Sequence, residues 1–145
     1  MDFTRAPEEF ISYIAIVKRD WTRASSEFLG LVDHWQDLSL NNFAGMTAIS
    51  AKEGRIEGEV LGKQFFIELS PISVDKAGFA EAVLFLRRIG GSNSELGRFN
   101  VRRDGSIFSS DGSLLLDSDI NGYSYRIFST VLRAVIEAPV TVDSK

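Results

Sequence analysis

The sequence predicts an α+β fold with a long N-terminal helix, an antiparallel meander of five to seven strands and a C-terminal helix. Three observations predict this arrangement. The first forty residues repeat apolar positions with a helical period, alternating segments with short turns follow, and the helical period returns near residue 121. We expect both helices to pack on one face of the sheet, since each has one apolar stripe to bury.

Residues 7–40 carry the clearest pattern, a stripe of nine apolar positions separated by steps of three and four. The stripe consists of Phe10, Ile14, Val17, Trp21, Ala24, Phe28, Leu31, Trp35 and Leu38. The charged residues between them, Asp20 included, are expected to face water. A continuous helix here would measure about 45 Å, against roughly 40 Å for the diameter of such a domain. The helix therefore spans the whole domain, protrudes into a partner, or bends near Ser25–Gly30.

Residues 44–117 are predicted to form the meander, because the connections are too short for parallel crossovers. The predicted turns are Glu53-Gly54, Gly62-Lys63, Asp104-Gly105 and Asp111-Gly112. Pro71 is expected to end a strand or to place it at an edge. Residues 79–89 fit a helix or a strand covered on both faces, and the short apolar run at 83–86 favours the strand.

Residues 121–138 are predicted to form the C-terminal helix, which stops before Pro139 because the residue preceding a proline leaves the helical region. Residues 139–145 are expected to be a frayed tail. The whole chain, residues 1–145, has the size of a single domain.

The composition narrows the classes of function. The chain has no cysteine, one histidine and a net charge of −4. A cysteine nucleophile and a thiolate metal site are thereby excluded, and the acidic balance argues against a nucleic-acid partner. No stretch approaches the ~18 consecutive apolar residues of a membrane span, and the N-terminus has no secretory leader pattern. We therefore expect a cytoplasmic protein with no cofactor and no membrane partner.

One motif matches the first half of a calcium-binding loop. Asp117, Asp119 and Asn121 alternate before Gly122, as oxygen ligands do in an EF-hand. The closing glutamate is replaced by Phe128, so no metal is predicted and the three residues remain only candidates. We expect them instead to turn the chain into the helix, with Asp119 or Asn121 capping its first turn.

The single histidine, His34, lies three residues before Asp37, on the same face of a helix. The pair could be half of an acid–base site, but no nucleophile signature accompanies it, so a surface or interface position is favoured. Trp21 and Trp35 lie fourteen residues apart on the stripe, where they pack in the core or form an interface. The candidate interface residues are Trp21, Phe28, Trp35, His34 and Asp37.

The sequence therefore favours a non-enzymatic protein that binds another protein. Accessory, chaperone-like and toxin-neutralising (immunity-type) roles all agree with this interpretation. Such a protein would act through the apolar helix stripe and an acidic surface, and its partner could be a second copy of the same chain. The alternative is a small ligand-binding domain or enzyme with a pocket between helices and sheet. A filled core with an exposed apolar patch would favour the first interpretation, and a deep pocket would favour the second.

Overall fold

The computed structural model describes residues 1–141 and has the predicted α+β architecture. A 3₁₀ turn at Pro7–Glu9 leads into α1, Phe10–Asn41, and the chain closes with α2, Tyr123–Glu137. Between the helices, each strand pairs antiparallel with the next in a seven-stranded half-barrel. The strands are β1 Thr47–Lys52, β2 Arg55–Val60, β3 Lys63–Val74, β4 Ala77–Arg87, β5 Asn93–Val101, β6 Ile107–Phe108 and β7 Leu114–Leu116.

Helix α1 is continuous over 32 residues, which corresponds to about 48 Å. It continues through Ser25–Gly30, where the sequence allowed a bend. The Ser25 hydroxyl donates to the carbonyl oxygen of Trp21 at 2.9 Å, and Gly30 lies on the exposed face. Neither residue interrupts the helix, because packing of the stripe outweighs the low helix propensity of a single serine or glycine.

The strand interpretation of residues 79–89 is confirmed by β4, which pairs with β3 on one side and β5 on the other. Its residues Ala80, Ala82, Leu84 and Leu86 are buried towards the helices. Because both faces of this central strand are largely covered, its sequence shows a continuous apolar run rather than a clean alternation.

Of the two alternatives for Pro71, the edge position is correct. Strand β3 continues through Pro71 to Val74, and β2 pairs with β3 only as far as Glu68, which leaves Pro71 without a strand on that side. One predicted turn is wrong. The turn between β2 and β3 is Leu61-Gly62 rather than Gly62-Lys63, since Val60 pairs with Lys63. Both residues of that turn have the positive φ of a type I′ hairpin.

Both helices pack on the same face of the sheet, as predicted, and aromatic side chains fill the space between them. The ring of Trp35 stacks on that of Phe128 with centroids 5.0 Å apart, and Phe28 meets Trp35 edge-on at 5.7 Å. The Trp35 indole N–H donates to the carbonyl and hydroxyl oxygens of Ser124, at 3.1 and 3.0 Å. The polar end of a buried indole is thus satisfied.

The opposite face of the sheet is covered by its own side chains. Phe66 and Phe85 stack across β3 and β4 with centroids 5.0 Å apart, and the Arg55 guanidinium lies 4.4 Å above the Phe66 ring. Arg55 also pairs with Glu57 at 2.8 Å and Glu68 at 3.3 Å. This face therefore presents paired charges to solvent rather than an apolar patch.

The residues after α2 contact the end of β4 instead of fraying. The N–H of Ile89 donates to the carbonyl oxygen of Val140 at 3.1 Å. The Arg88 guanidinium donates to the carbonyl oxygens of Pro139 and Thr141. The prediction of a frayed tail is thus wrong for residues 139–141, because Arg88 supplies donors that the sequence pattern does not reveal. Residues 142–145 of the predicted tail lie outside the described residues.

Candidate protein-binding surface

The N-terminal end of α1 extends past the body of the protein. We call residues 10–19 the overhang. Its large apolar side chains are exposed, with Ile11 78%, Phe10 56% and Ile14 50% accessible. Further along the same helix, Phe28 and Trp35 are fully buried. The stripe predicted from the sequence therefore has two parts, of which only the C-terminal part meets the sheet.

A close contact between α1 and the sheet lies at Gly78, near the start of β4. A Cβ atom at this position would lie 2.5 Å from the carbonyl oxygen of Val17 and 2.9 Å from the Cβ of Asp20. Only glycine allows the strand to approach the helix backbone this closely. The β3–β4 hairpin turns at Asp75-Lys76, and before Val17 the apolar side chains of the stripe are exposed.

Asp20 joins the base of the overhang to the sheet. Its carboxylate accepts the Gly78 N–H at 3.1 Å and lies 3.3 Å from Arg19 Nη2 and 3.5 Å from Arg103 Nη1. The side chain is buried, at 4% exposure. The expectation that Asp20 faces water is therefore wrong, because the helix passes close enough to β4 for a short carboxylate to reach the backbone.

The environment keeps this carboxylate charged. Burial by itself raises the pKa of Asp20, but the hydrogen bond from Gly78 and the charges of Arg19 and Arg103 outweigh it. The pKa of Asp20 is therefore lowered from its ordinary value. The charged carboxylate of Asp20 therefore holds α1 to β4 at the base of the overhang.

The residues before α1 contribute to the same surface. Residues of the segment 2–9, the first turns of α1 and Lys76 line an open concave space of about 730 Å³. Phe3, Phe10, Tyr13 and Ile16 line it with apolar surface, while Asp2 and Arg5 pair at 3.6 Å on the same segment. The overhang is thus an apolar surface with a charged border, an arrangement typical of protein interfaces.

No protein family, curated protein or solved structure matches this chain. Function is therefore inferred from the geometry and chemistry of the site itself. Within residues 1–141, no helix is long and apolar enough to cross a bilayer, α1 included.

The five candidate interface residues lie in different environments. Trp21 is half-buried at the base of the overhang. Phe28 and Trp35 belong to the core and present no surface to a partner. The sequence could not separate them from Phe10 and Ile14, because all four share one stripe and only the length of the sheet decides which part is covered.

His34 and Asp37 are both exposed, and they have different partners. His34 Nδ1 lies 2.7 Å from the hydroxyl oxygen of Ser124, which also accepts the Trp35 indole N–H. Asp37 accepts the side-chain amide of Asn41 at 2.7 Å. The His34–Ser124 contact therefore links α1 to the start of α2.

The acidic motif before α2 forms a turn, as predicted, with the Asp117 carboxylate accepting the Asp119 N–H at 2.9 Å. The predicted capping by Asp119 or Asn121 is wrong, because Gly122 occupies the cap position with φ 76° and no side chain bonds to the first turn. Across residues 1–141, no three His, Cys, Asp or Glu side chains are grouped to hold a metal ion.

Two exposed residues of the overhang, Ile11 and Ile16, lie outside the nine-position stripe. A simpler signal in the sequence could have identified them. Residues 10–17, Phe-Ile-Ser-Tyr-Ile-Ala-Ile-Val, contain no charged side chain over two helical turns. A helix with solvent on its outer side normally carries charges there, so this run indicates a covered segment or a binding surface.

Proposed function

We propose that this chain is a non-enzymatic protein-binding protein and that the overhang is its contact surface. One observation carries the proposal: two uncharged helical turns expose Phe10, Ile11 and Ile14 side by side, while Ala24, Phe28, Trp35 and Leu38 further along the stripe are buried. Contiguous apolar patches on a folded protein mark surfaces that another molecule covers.

The shape of the overhang supports a protein as that molecule. An exposed helix face with apolar side chains at positions 10, 11 and 14 has the spacing that helix recognition uses. The helix is already formed and is fixed at its base by Asp20 and Gly78. A preformed helix loses little conformational entropy on binding, which favours affinity.

The filled interior supports binding over catalysis. Trp35, Phe28 and Phe128 fill the centre of the space between the helices and the sheet, where the alternative placed a pocket. Two open clefts of about 370 and 360 Å³ flank α2 outside this centre. Accessory, chaperone-like and toxin-neutralising roles all act by direct protein contact.

The test is co-purification from the cells that make the chain, using Ile14→Glu. We expect this variant to retain about tenfold less bound protein than the wild type, or less still, because burying an unpaired carboxylate costs several kcal/mol. Leu40→Glu is the matched control, because Leu40 lies at the other end of α1 and is 77% exposed. Equal retention by both variants, or loss by Leu40→Glu alone, would exclude the overhang as the contact surface.

A further inference from the structure

Charged residues bracket the apolar part of the overhang with opposite signs at its two ends. Glu8 and Glu9 lie six and five positions before Ile14, at the free tip. Lys18 and Arg19 lie four and five positions after it, next to the body. Ile14 is therefore close to the midpoint between an acidic end and a basic end.

We propose that the occupant of the overhang is a second copy of this chain, packed antiparallel about Ile14. The inference rests on the proposed function, whose partner it names. Antiparallel packing brings the acidic end of each copy, with Glu8 and Glu9, level with the basic end of the other, with Lys18 and Arg19, whereas parallel packing brings like charges level with each other. The contact is isologous, so each favourable pairing occurs twice.

The local charge balance also fits self-association. Residues 1–19 carry three acidic and three basic side chains, namely Asp2, Glu8, Glu9, Arg5, Lys18 and Arg19. The negative charge of the whole chain therefore resides in the body, away from the proposed contact. Two antiparallel overhangs bring Phe10 and Ile11 of one copy to the base of the other, where half-buried Trp21 extends the apolar surface.

The expected dimer is modest in strength. Ten helical residues per copy form a contact at the low end of specific interfaces, below roughly 1,200 Å² in total. We therefore expect a dissociation constant on the order of 10 µM, which sedimentation velocity measures over a concentration series. Ile14→Glu should be monomeric throughout that series, and Leu40→Glu should behave as the wild type.

Charge reversal tests the orientation. The double variant Glu8→Lys with Glu9→Lys, and separately Lys18→Glu, should each dimerise at least about fivefold more weakly, because each puts like charges together twice. Mixing the two variants should restore association, since the reversed charges then face opposite ones. Parallel packing would instead leave Lys18→Glu unweakened, and that result would overturn the proposed orientation.

The outcomes separate this inference from the proposed function. A wild-type chain that stays monomeric at several hundred micromolar overturns the second copy as occupant, and dimers unaffected by Ile14→Glu do the same. In either case, a different protein lost from Ile14→Glu but kept by Leu40→Glu would leave the proposed function standing. Failure of both measurements would overturn both proposals.

Discussion

Replacing Trp35 by alanine is expected to lower the free energy of unfolding by about 3–5 kcal/mol, the range for a large aromatic side chain removed from a core. Trp35 is fully buried between Phe28 and Phe128, so its loss leaves a cavity lined by two rings. The change also removes the donor to Ser124, which sits where α2 begins. The measurement is urea unfolding followed by far-ultraviolet circular dichroism, which does not depend on the tryptophan itself.

Two companion variants make this result specific. Trp35→Phe keeps a ring against Phe128 and loses only the indole N–H and some volume, so about 1–2 kcal/mol is expected. Trp21→Ala removes the half-buried tryptophan and should cost less than Trp35→Ala. An equal loss for Trp21 and Trp35 would contradict the division of the stripe into a buried and an exposed part.

Replacing Asp20 by alanine is expected to lower the free energy of unfolding by about 2–3 kcal/mol. The change leaves the buried Gly78 N–H without its acceptor. The lost hydrogen bond is to a charged carboxylate, and such bonds stabilise a fold more than those between neutral groups. Asp33→Ala is the matched control, since Asp33 is an exposed aspartate on the same helix and should change stability by less than about 0.5 kcal/mol.

The effect of Asp20 should depend on pH in a defined direction. Its pKa in the folded chain lies below the ordinary value of 3.8, so the contribution of Asp20 is complete above that pH. The contribution is lost as the pH falls through the lowered pKa. Unfolding curves of the wild type and Asp20→Ala should therefore differ at neutral pH and converge under acid conditions. A difference that persists unchanged at low pH would exclude the charged carboxylate as its cause.

The sequence predicted the elements well because their signals are local. Helical periodicity located both helices, and dipeptides such as Glu53-Gly54 and Asp111-Gly112 located turns whose glycines have positive φ. The turn at Asp75-Lys76 was missed because neither residue is glycine, although both adopt positive φ. For Pro71 the sequence left open an end of β3 or an edge position, because the lengths of the neighbouring strands decide whether its missing N–H matters.

The candidate site is only partly predictable from the sequence, because contacts between distant parts of the chain decide which residues of α1 are exposed. Phe10 and Phe28 occupy equivalent positions on the stripe, and the point at which the sheet ends determines which of them is buried. Aspartate is a residue type that normally lies at the surface, so the sequence gives no sign that Asp20 is buried. It is buried because β4 packs close to α1 at Gly78, whose N–H donates to its carboxylate. Excess helix length points to a projecting end, and the charge-free run 10–17 indicates a covered segment or a binding surface at the N-terminal end of the helix.

Thiol alkylation in the cells that make the chain measures whether another protein covers the overhang. The protein has no cysteine, so Ile11→Cys and Leu40→Cys each place a single thiol on α1 at sites of matched exposure, 78% and 77%. In dilute purified protein the two thiols should react at similar rates. In cells we expect Ile11→Cys to react at least about fivefold more slowly than Leu40→Cys, because its partner excludes the reagent. Equal rates in cells would contradict the proposal that another protein covers the overhang.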